Sequence, residues 1–208
     1  CMDSFAKERI EEEKEDLIVG FAVLCHDLGK PATTQVVNGR IRSIRHEEVG
    51  AELTRAFLER MTNWKDFIEE VVVLVRHHLK PQQLYEGKAT ESAIRRLARK
   101  VGRLDRLVRV ARADHLGRPG LATKDFPAGK WLLQKAEELA VKESIPKPIV
   151  KGRHLIALGL KPGPHFKPIL EACYEAQLDG KIKNLEEGIE LEKEIIRSKI
   201  NSLNEKKD

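Results

Sequence analysis

Apolar residues recur at spacings of three and four along almost the whole chain, and no segment sustains the strict alternation of a half-buried strand. The pattern predicts an all-α protein. Residues 16 to 28, DLIVGFAVLCHDL, are apolar on nearly every side, the mark of a helix buried on most faces, and Gly29 and Pro31 stop it. That helix delivers His26 and Asp27 at its C-terminal end. A polar connection follows, in which Asn38-Gly39 can form the tight turn of a short hairpin. An amphipathic helix is predicted from His46 to Met61, with Val49, Leu53, Ala56, Phe57 and Met61 turned inward. A second, over 66 to 79, turns Ile68, Val71, Val72 and Val75 inward and ends in His77 and His78 before Pro81. Thr90 is placed to cap a helix running to Lys100. Gly102 separates it from the next, Arg103 to Leu116, which carries Asp114 near its end before Gly117, Pro119 and Gly120. A helix over 128 to 143 leads into Ile145-Pro146-Lys147-Pro148, a stiff segment that reads as a boundary between modules. Beyond it lie a short segment at Gly152 to Gly159, a turn at Lys161-Pro162-Gly163-Pro164, a helix over Phe166 to Leu178 and a charged terminal helix from Asn184. The expected organisation is a helical domain over 1–125, a connecting helix and linker over 126–150, and a small helical module over 151–208.

Composition narrows the function classes. The 208 residues can hold one medium domain and an appendage without help from disulfides. No stretch approaches about 18 uninterrupted apolar residues, which excludes a membrane-spanning helix. Lys+Arg 38 against Asp+Glu 33 gives a formal charge of +5, which permits a polyanionic partner without requiring one. Cys1, Cys25 and Cys173 are odd in number and far apart, so neither a disulfide scaffold nor a thiolate zinc site is expected, and a reducing cytoplasm is the expected location. The chain opens on Cys1-Met2 and is expected to be a piece of a longer protein.

Candidate chemistry gathers at helix ends in the first half: His26-Asp27, His46, His77-His78 and Asp114. Imidazole nitrogen with carboxylate oxygen suits a divalent cation, and ligands from several helix ends can converge on one cleft of a bundle. The plainer alternatives stay open: a His beside an Asp can be a helix-end ion pair, and His77-His78 a C-terminal cap favoured by the helix dipole. The apolar context of residues 16 to 28 favours the cation, because an ionised Asp27 there needs a partner. Lys30 could sit at the same mouth and hold an anionic ligand, or be a solvated surface lysine.

The runs AVLCHDLGKP (22–31), RHEEVGAEL (45–53), LVRHHLKP (74–81) and ARADHLGRP (111–119) resemble the HD superfamily of metal-dependent phosphohydrolases. More narrowly, the chain is similar to the HD module of bacterial tRNA nucleotidyltransferases, the CCA-adding enzymes and their poly(A) polymerase relatives. Gly152-Arg153-His154-Leu155 through LGLKPGPHFKPILEACYEAQLDGKI is similar to their C-terminal helical region, with His154 where an acidic residue is usual. The resemblance implies an HD-domain helical bundle followed by a small helical module. It implies a divalent metal (nickel, manganese, magnesium, iron or zinc) held by His26, Asp27 and Asp114, together with a first histidine expected just before Cys1. It implies that His46, His77 and His78 match the extra histidines of members holding two metals, and that Lys30 lies near the substrate phosphate. The implied reaction is hydrolysis of 2′,3′-cyclic phosphates or other small phosphoesters, on nucleotides or tRNA ends. The polymerase domain of such enzymes precedes the HD module, so this stretch is not expected to add CCA by itself.

A second reading uses charge. Arg95, Arg96, Arg99, Lys100, Arg103, Arg106, Arg109 and Arg112 recur at helical spacing, and Arg99, Arg103 and Arg106 are the candidates for contact with tRNA phosphates. The chain would then be a non-catalytic body that positions tRNA for the absent nucleotidyltransferase domain. A solvated face, or a purely structural helical spacer, is the remaining alternative.

Overall fold

The computed structural model describes residues 1–7, 9–10, 12–118, 120 and 125–204, with side chains as far as Arg197; Pro119, expected as a helix stop, lies outside the described residues. Two compact units divide the chain, Cys1–Ile145 and Pro146–Asp208. In the first unit the order is α1 (Met2–Ala6), α2 (Glu13–Cys25), α3 (Lys30–Thr33), β1 (Thr34–Val37), β2 (Arg40–Ser43), α4 (His46–Glu59), α5 (Lys65–His77), α6 (Lys80–Glu86), α7 (Glu91–Val101), α8 (Leu104–Leu116) and α9 (Pro127–Glu138). The second holds α10 (Gly152–Ala157), α11 (Phe166–Leu178) and α12 (Leu185–Asn204). The class is all-α.

The apolar segment becomes the central helix, α2, which packs against both α5 and α8. Ile18, Val19 and Ala22 are fully buried there, with Val71 and Val75 from α5 and Leu107 and Val110 from α8. Each large aliphatic side chain so removed from water contributes about 1.5–3 kcal/mol. α2 stops at Cys25, and residues 26 to 29 turn back through bonds from Leu28 N to Cys25 O and Lys30 N to Asp27 O, both 3.0 Å. Thr90 caps α7 as expected, its hydroxyl accepting from Ala93 N. α9, expected as a connector, buries Ala128, Leu132 and Ala136 in this same core.

α4 turns the other way from the expected face. Leu53, Phe57 and Met61 are exposed (43%, 37% and 57%), and Ala56 is exposed too, whereas Gly50, Ala51, Thr54 and Leu58 are buried. The reason is close backbone approach: a Cβ on Gly29 would lie 2.1 Å from the His46 carbonyl oxygen and 2.6 Å from Gly50 N. Only small residues let α4 come this near the turn that carries Asp27.

The hairpin is antiparallel, with Val36 opposite Ile41, and its two-residue turn has both Asn38 and Gly39 at positive φ (52° and 72°), the geometry that matches strand twist. In the second unit Leu155, Ile169, Cys173 and Leu178 form a small core. Tyr174 Oη donates to the Pro146 carbonyl (2.6 Å) and Gln177 Nε2 to that of Lys147 (2.9 Å), which ties the proline segment to α11. His154 Nδ1 accepts from Lys151 N at 3.1 Å, the role an acidic side chain plays in a capping box.

Candidate metal centre

Five of the expected residues meet at one place. His26 and Asp27 come from the turn after α2, His46 from the start of α4, His78 from the end of α5 and Asp114 from the last turn of α8. His26 Nε2 lies 3.2 Å from Asp27 Oδ2 and 3.4 Å from Asp114 Oδ1, and His46 Nε2 lies 3.6 Å from Asp27 Oδ1. The His78 ring centroid is 5.3 Å from those of both His26 and His46. Ligand atoms of Asp27, His46 and His78 fall within 4.8 Å of one another, as do those of Cys1, His26 and Asp114. Either set could hold an ion.

The orientation of the rings decides what they can do. Nδ1 of His26, His46 and His78 lies 2.7, 2.8 and 2.7 Å from the carbonyls of Val23, Ser43 and Val75 respectively. A carbonyl only accepts, so each Nδ1 donates, and the neutral ring then turns a bare Nε2 lone pair towards the carboxylates. The Nε2 atoms of His26 and His78 are buried with no aligned hydrogen-bond partner. Orphaned buried nitrogens facing two acidic side chains fit a divalent cation, since a buried polar group without a partner costs about 1–3 kcal/mol.

The charges agree. Burial pushes His78 down to about 4, so it is neutral at pH 7. Burial also opposes charge on His26, but the Asp114 and Asp27 carboxylates outweigh it and raise His26 to about 9. Asp27, despite its burial, is held at about 2 by His26 and Lys30. Asp114 lies well below the carboxylate range: burial raises it, and His26 and Arg118 more than offset this. The His26 proton stands in for a cation between the two acids.

Lys30 Nζ donates to Asp27 Oδ2 at 2.6 Å and is half exposed, which puts its ammonium at the mouth. His77 is not in the cluster. Successive residues at a helix end cannot face one point; its Nδ1 is buried without a hydrogen-bond partner, and burial together with Lys100, Lys80 and Arg76 lowers it to about 4.

The expected basic stripe is largely turned inward. Arg106 is buried and forks between Glu15 of α2 and Glu70 of α5 (2.7 Å to Glu70), so it is not available to phosphates. Arg103 binds Asp105 and lies 3.8 Å from Glu15, and Arg109 pairs with Asp16. Arg99 sits half-buried on α7. These acids come from other helices, which the spacing within one helix does not show. Cys1 is the residue the sequence reading passed over. Its thiol lies beside His26 and Asp114, and with 113 residues separating Cys1 from Asp114 no spacing could signal the contact.

Helices that present a His-Asp doublet, further histidines and a distal Asp to one point define the HD class. The HD domain profile matches residues 4–118, more than half of the chain, and the chain belongs to the HD-domain family. Its relatives carry tRNA nucleotidyltransferase names. It is 36% identical over 171 residues to the CC-adding tRNA nucleotidyltransferase of Thermus thermophilus, covering 80% of this chain and 37% of the relative. It is 30% identical over 173 residues to the A-adding tRNA nucleotidyltransferase of Deinococcus radiodurans, covering 80% and 39%. Against the multifunctional CCA protein of Xanthomonas axonopodis pv. citri it is 35% identical over 121 residues, covering 56% and 29%. The chain thus spans less than two fifths of these relatives. No solved structure matches it. Among the described residues no helix is long and apolar enough to cross a membrane.

Proposed function

We propose that the first unit is a metal-dependent phosphohydrolase that cleaves phosphoesters of nucleotides or RNA ends, of the 2′,3′-cyclic phosphodiesterase or phosphatase type. His26, Asp27 and Asp114, with His46 and His78, would hold the divalent ion, which is one of nickel, manganese, magnesium, iron or zinc. The observation that carries this reading is the set of three imidazoles locked by backbone carbonyls with Nε2 directed at two carboxylates. A divalent cation there supplies Lewis acidity, lowering the pKa of water and neutralising phosphoryl charge. The chain's own groups do the rest. Asp27 and Asp114 supply the negative charge that holds the ion, and Arg118, 2.8 Å from Asp114 Oδ2, fixes that carboxylate. Lys30 can leave Asp27 to hold a phosphoryl oxygen at the mouth, a point-charge contact suited to an ammonium. The relatives' names suggest tRNA as the source of the phosphoester.

The test is metal analysis of the purified chain followed by assay on 2′,3′-cyclic AMP with added nickel, manganese or magnesium. Turnover that Asp27→Asn abolishes in a protein of unchanged circular dichroism is expected. Failure to bind any of these ions, with no turnover, overturns the reading. The alternative, a non-catalytic tRNA-positioning body, loses weight from the inward pairing of Arg106 and Arg109. It expects tRNA binding that Asp27→Asn leaves intact and Arg99→Glu/Arg103→Glu weakens.

A further inference from the structure

The hairpin between Lys30 and His46 carries a charge imbalance that the centre does not use. Residues 28–45 include Lys30, Arg40, Arg42 and Arg45 and no carboxylate. Lys30 pairs with Asp27, and Arg45 Nε donates to Glu48 at 2.8 Å. Arg40 and Arg42 are exposed and meet no carboxylate among the described residues. The register sets Arg40 opposite Val37 and Arg42 opposite Gln35. Both guanidiniums therefore stand on one face, about 7 Å apart along the strand. The other face carries the exposed Val36–Ile41 pair, which stabilises the ribbon across the strands. The ribbon's base is tied to the centre. The Thr34 hydroxyl donates to the Lys30 carbonyl and accepts from the Ser43 hydroxyl, both at 2.7 Å, while the Ser43 carbonyl accepts from His46 Nδ1.

We infer that this hairpin is a phosphate-binding arm that holds the backbone of an RNA strand whose terminal phosphoester lies at the metal centre. The site then selects strand ends over free mononucleotides. The placement of the reacting end rests on the hydrolase reading; the binding of RNA by the arm is measured separately. Planar guanidiniums match phosphate oxygens in pairs, and two on one strand face suit successive phosphates of an extended strand. Their mutual repulsion, with no acid near, is relieved by a polyanion. Arg40 stands about 10 Å along β2 from Ser43. A mononucleotide seated at the centre has no second phosphate to offer it, and a strand does.

The test compares the chain with Arg40→Gln/Arg42→Gln and Arg40→Lys/Arg42→Lys, each checked by circular dichroism and melting. Binding of a short fluorescein-labelled single-stranded RNA ending in a 2′,3′-cyclic phosphate is followed across salt. The glutamine pair should flatten the slope of log K against log salt by about 2, one unit for each lost phosphate contact, and the lysine pair should keep it. In turnover, the ratio of kcat/KM for this RNA to that for 2′,3′-cyclic AMP should fall about tenfold in the glutamine pair, through KM with kcat held. An unchanged salt slope, an equal loss on both substrates, or loss of self-association in place of RNA binding would each overturn the arm. No turnover of either substrate by the unmodified chain defeats the hydrolase reading alone, and the salt slope still decides the arm.

Discussion

The first unit holds two groups of buried acids on and just beyond the same helix, and they are treated in opposite ways. At the N-terminal end of α2, Glu15 and Asp16 meet the guanidiniums of Arg106 and Arg109 from α8, so every charge has a fixed counter-charge. Just past its C-terminal end, Asp27 meets His26, His46 and Lys30, and across the cleft Asp114 meets His26 and Arg118. Arginine is permanently charged and its fork closes the account of the carboxylate. Histidine can give its proton up and bind something else. The first group holds helices together; the second is arranged to exchange a proton for an ion.

Removing one member of each group should separate them. Glu15→Ala leaves Arg106 buried with its partner gone, and a loss of about 3–5 kcal/mol is expected in denaturant unfolding. Replacing the pair, Glu15→Leu with Arg106→Met, should recover most of it. Asp27→Asn should cost the metal-free chain far less and abolish metal binding; a loss matching that of Glu15→Ala would erase the distinction. Saturating divalent ion at about 100 times Kd should stabilise the native chain by about 2.7 kcal/mol, seen as a chelator-reversible rise in Tm that His78→Ala removes.

Gly29→Ala should push α4 from the Asp27 turn at a cost of about 1–3 kcal/mol, lowering metal affinity as well as Tm. The two groups should also fail at opposite ends of the pH scale in metal-free protein. Hydrogen bonds from Arg106 lower Glu15, so its stabilisation is present above 4.5 and lost as pH falls through the depressed folded value. His26 is raised to about 9, so its contribution is complete below 6.5 and lost as pH rises through about 9. NMR titration of the His26 ring and acid unfolding of Glu15→Gln check the two limbs. The smallest effect is expected at His77: His77→Asn should leave metal affinity within about twofold, because the ring points away from the cluster.

Much of this was legible in the residues, and what was not has physical causes. The apolar run over residues 16 to 28 marks α2 because burial on all faces needs no partner's identity to be read. The His-Asp doublet, His46, His78 and Asp114 are polar groups at helix ends, where backbone turns bring side chains to one cleft. The inward face of α4 was misread because bulk was weighed above closeness: Gly50 and Ala51 pack the backbones together and leave Phe57 outside. His77 was grouped with His78 because a doublet does not disclose which ring points where. Arg106 looked outward because its acids, Glu15 and Glu70, lie 91 and 36 residues away.

The central claim is that the Nε2 atoms of His26, His46 and His78 and the carboxylates of Asp27 and Asp114 surround an ion. Anomalous diffraction from crystals grown with manganese or nickel tests it most directly. A peak within coordination distance of His26 Nε2 and both carboxylates, lost in Asp27→Asn, is the expected result. Density for the ion elsewhere on the chain, or its persistence in that variant, would contradict the claim.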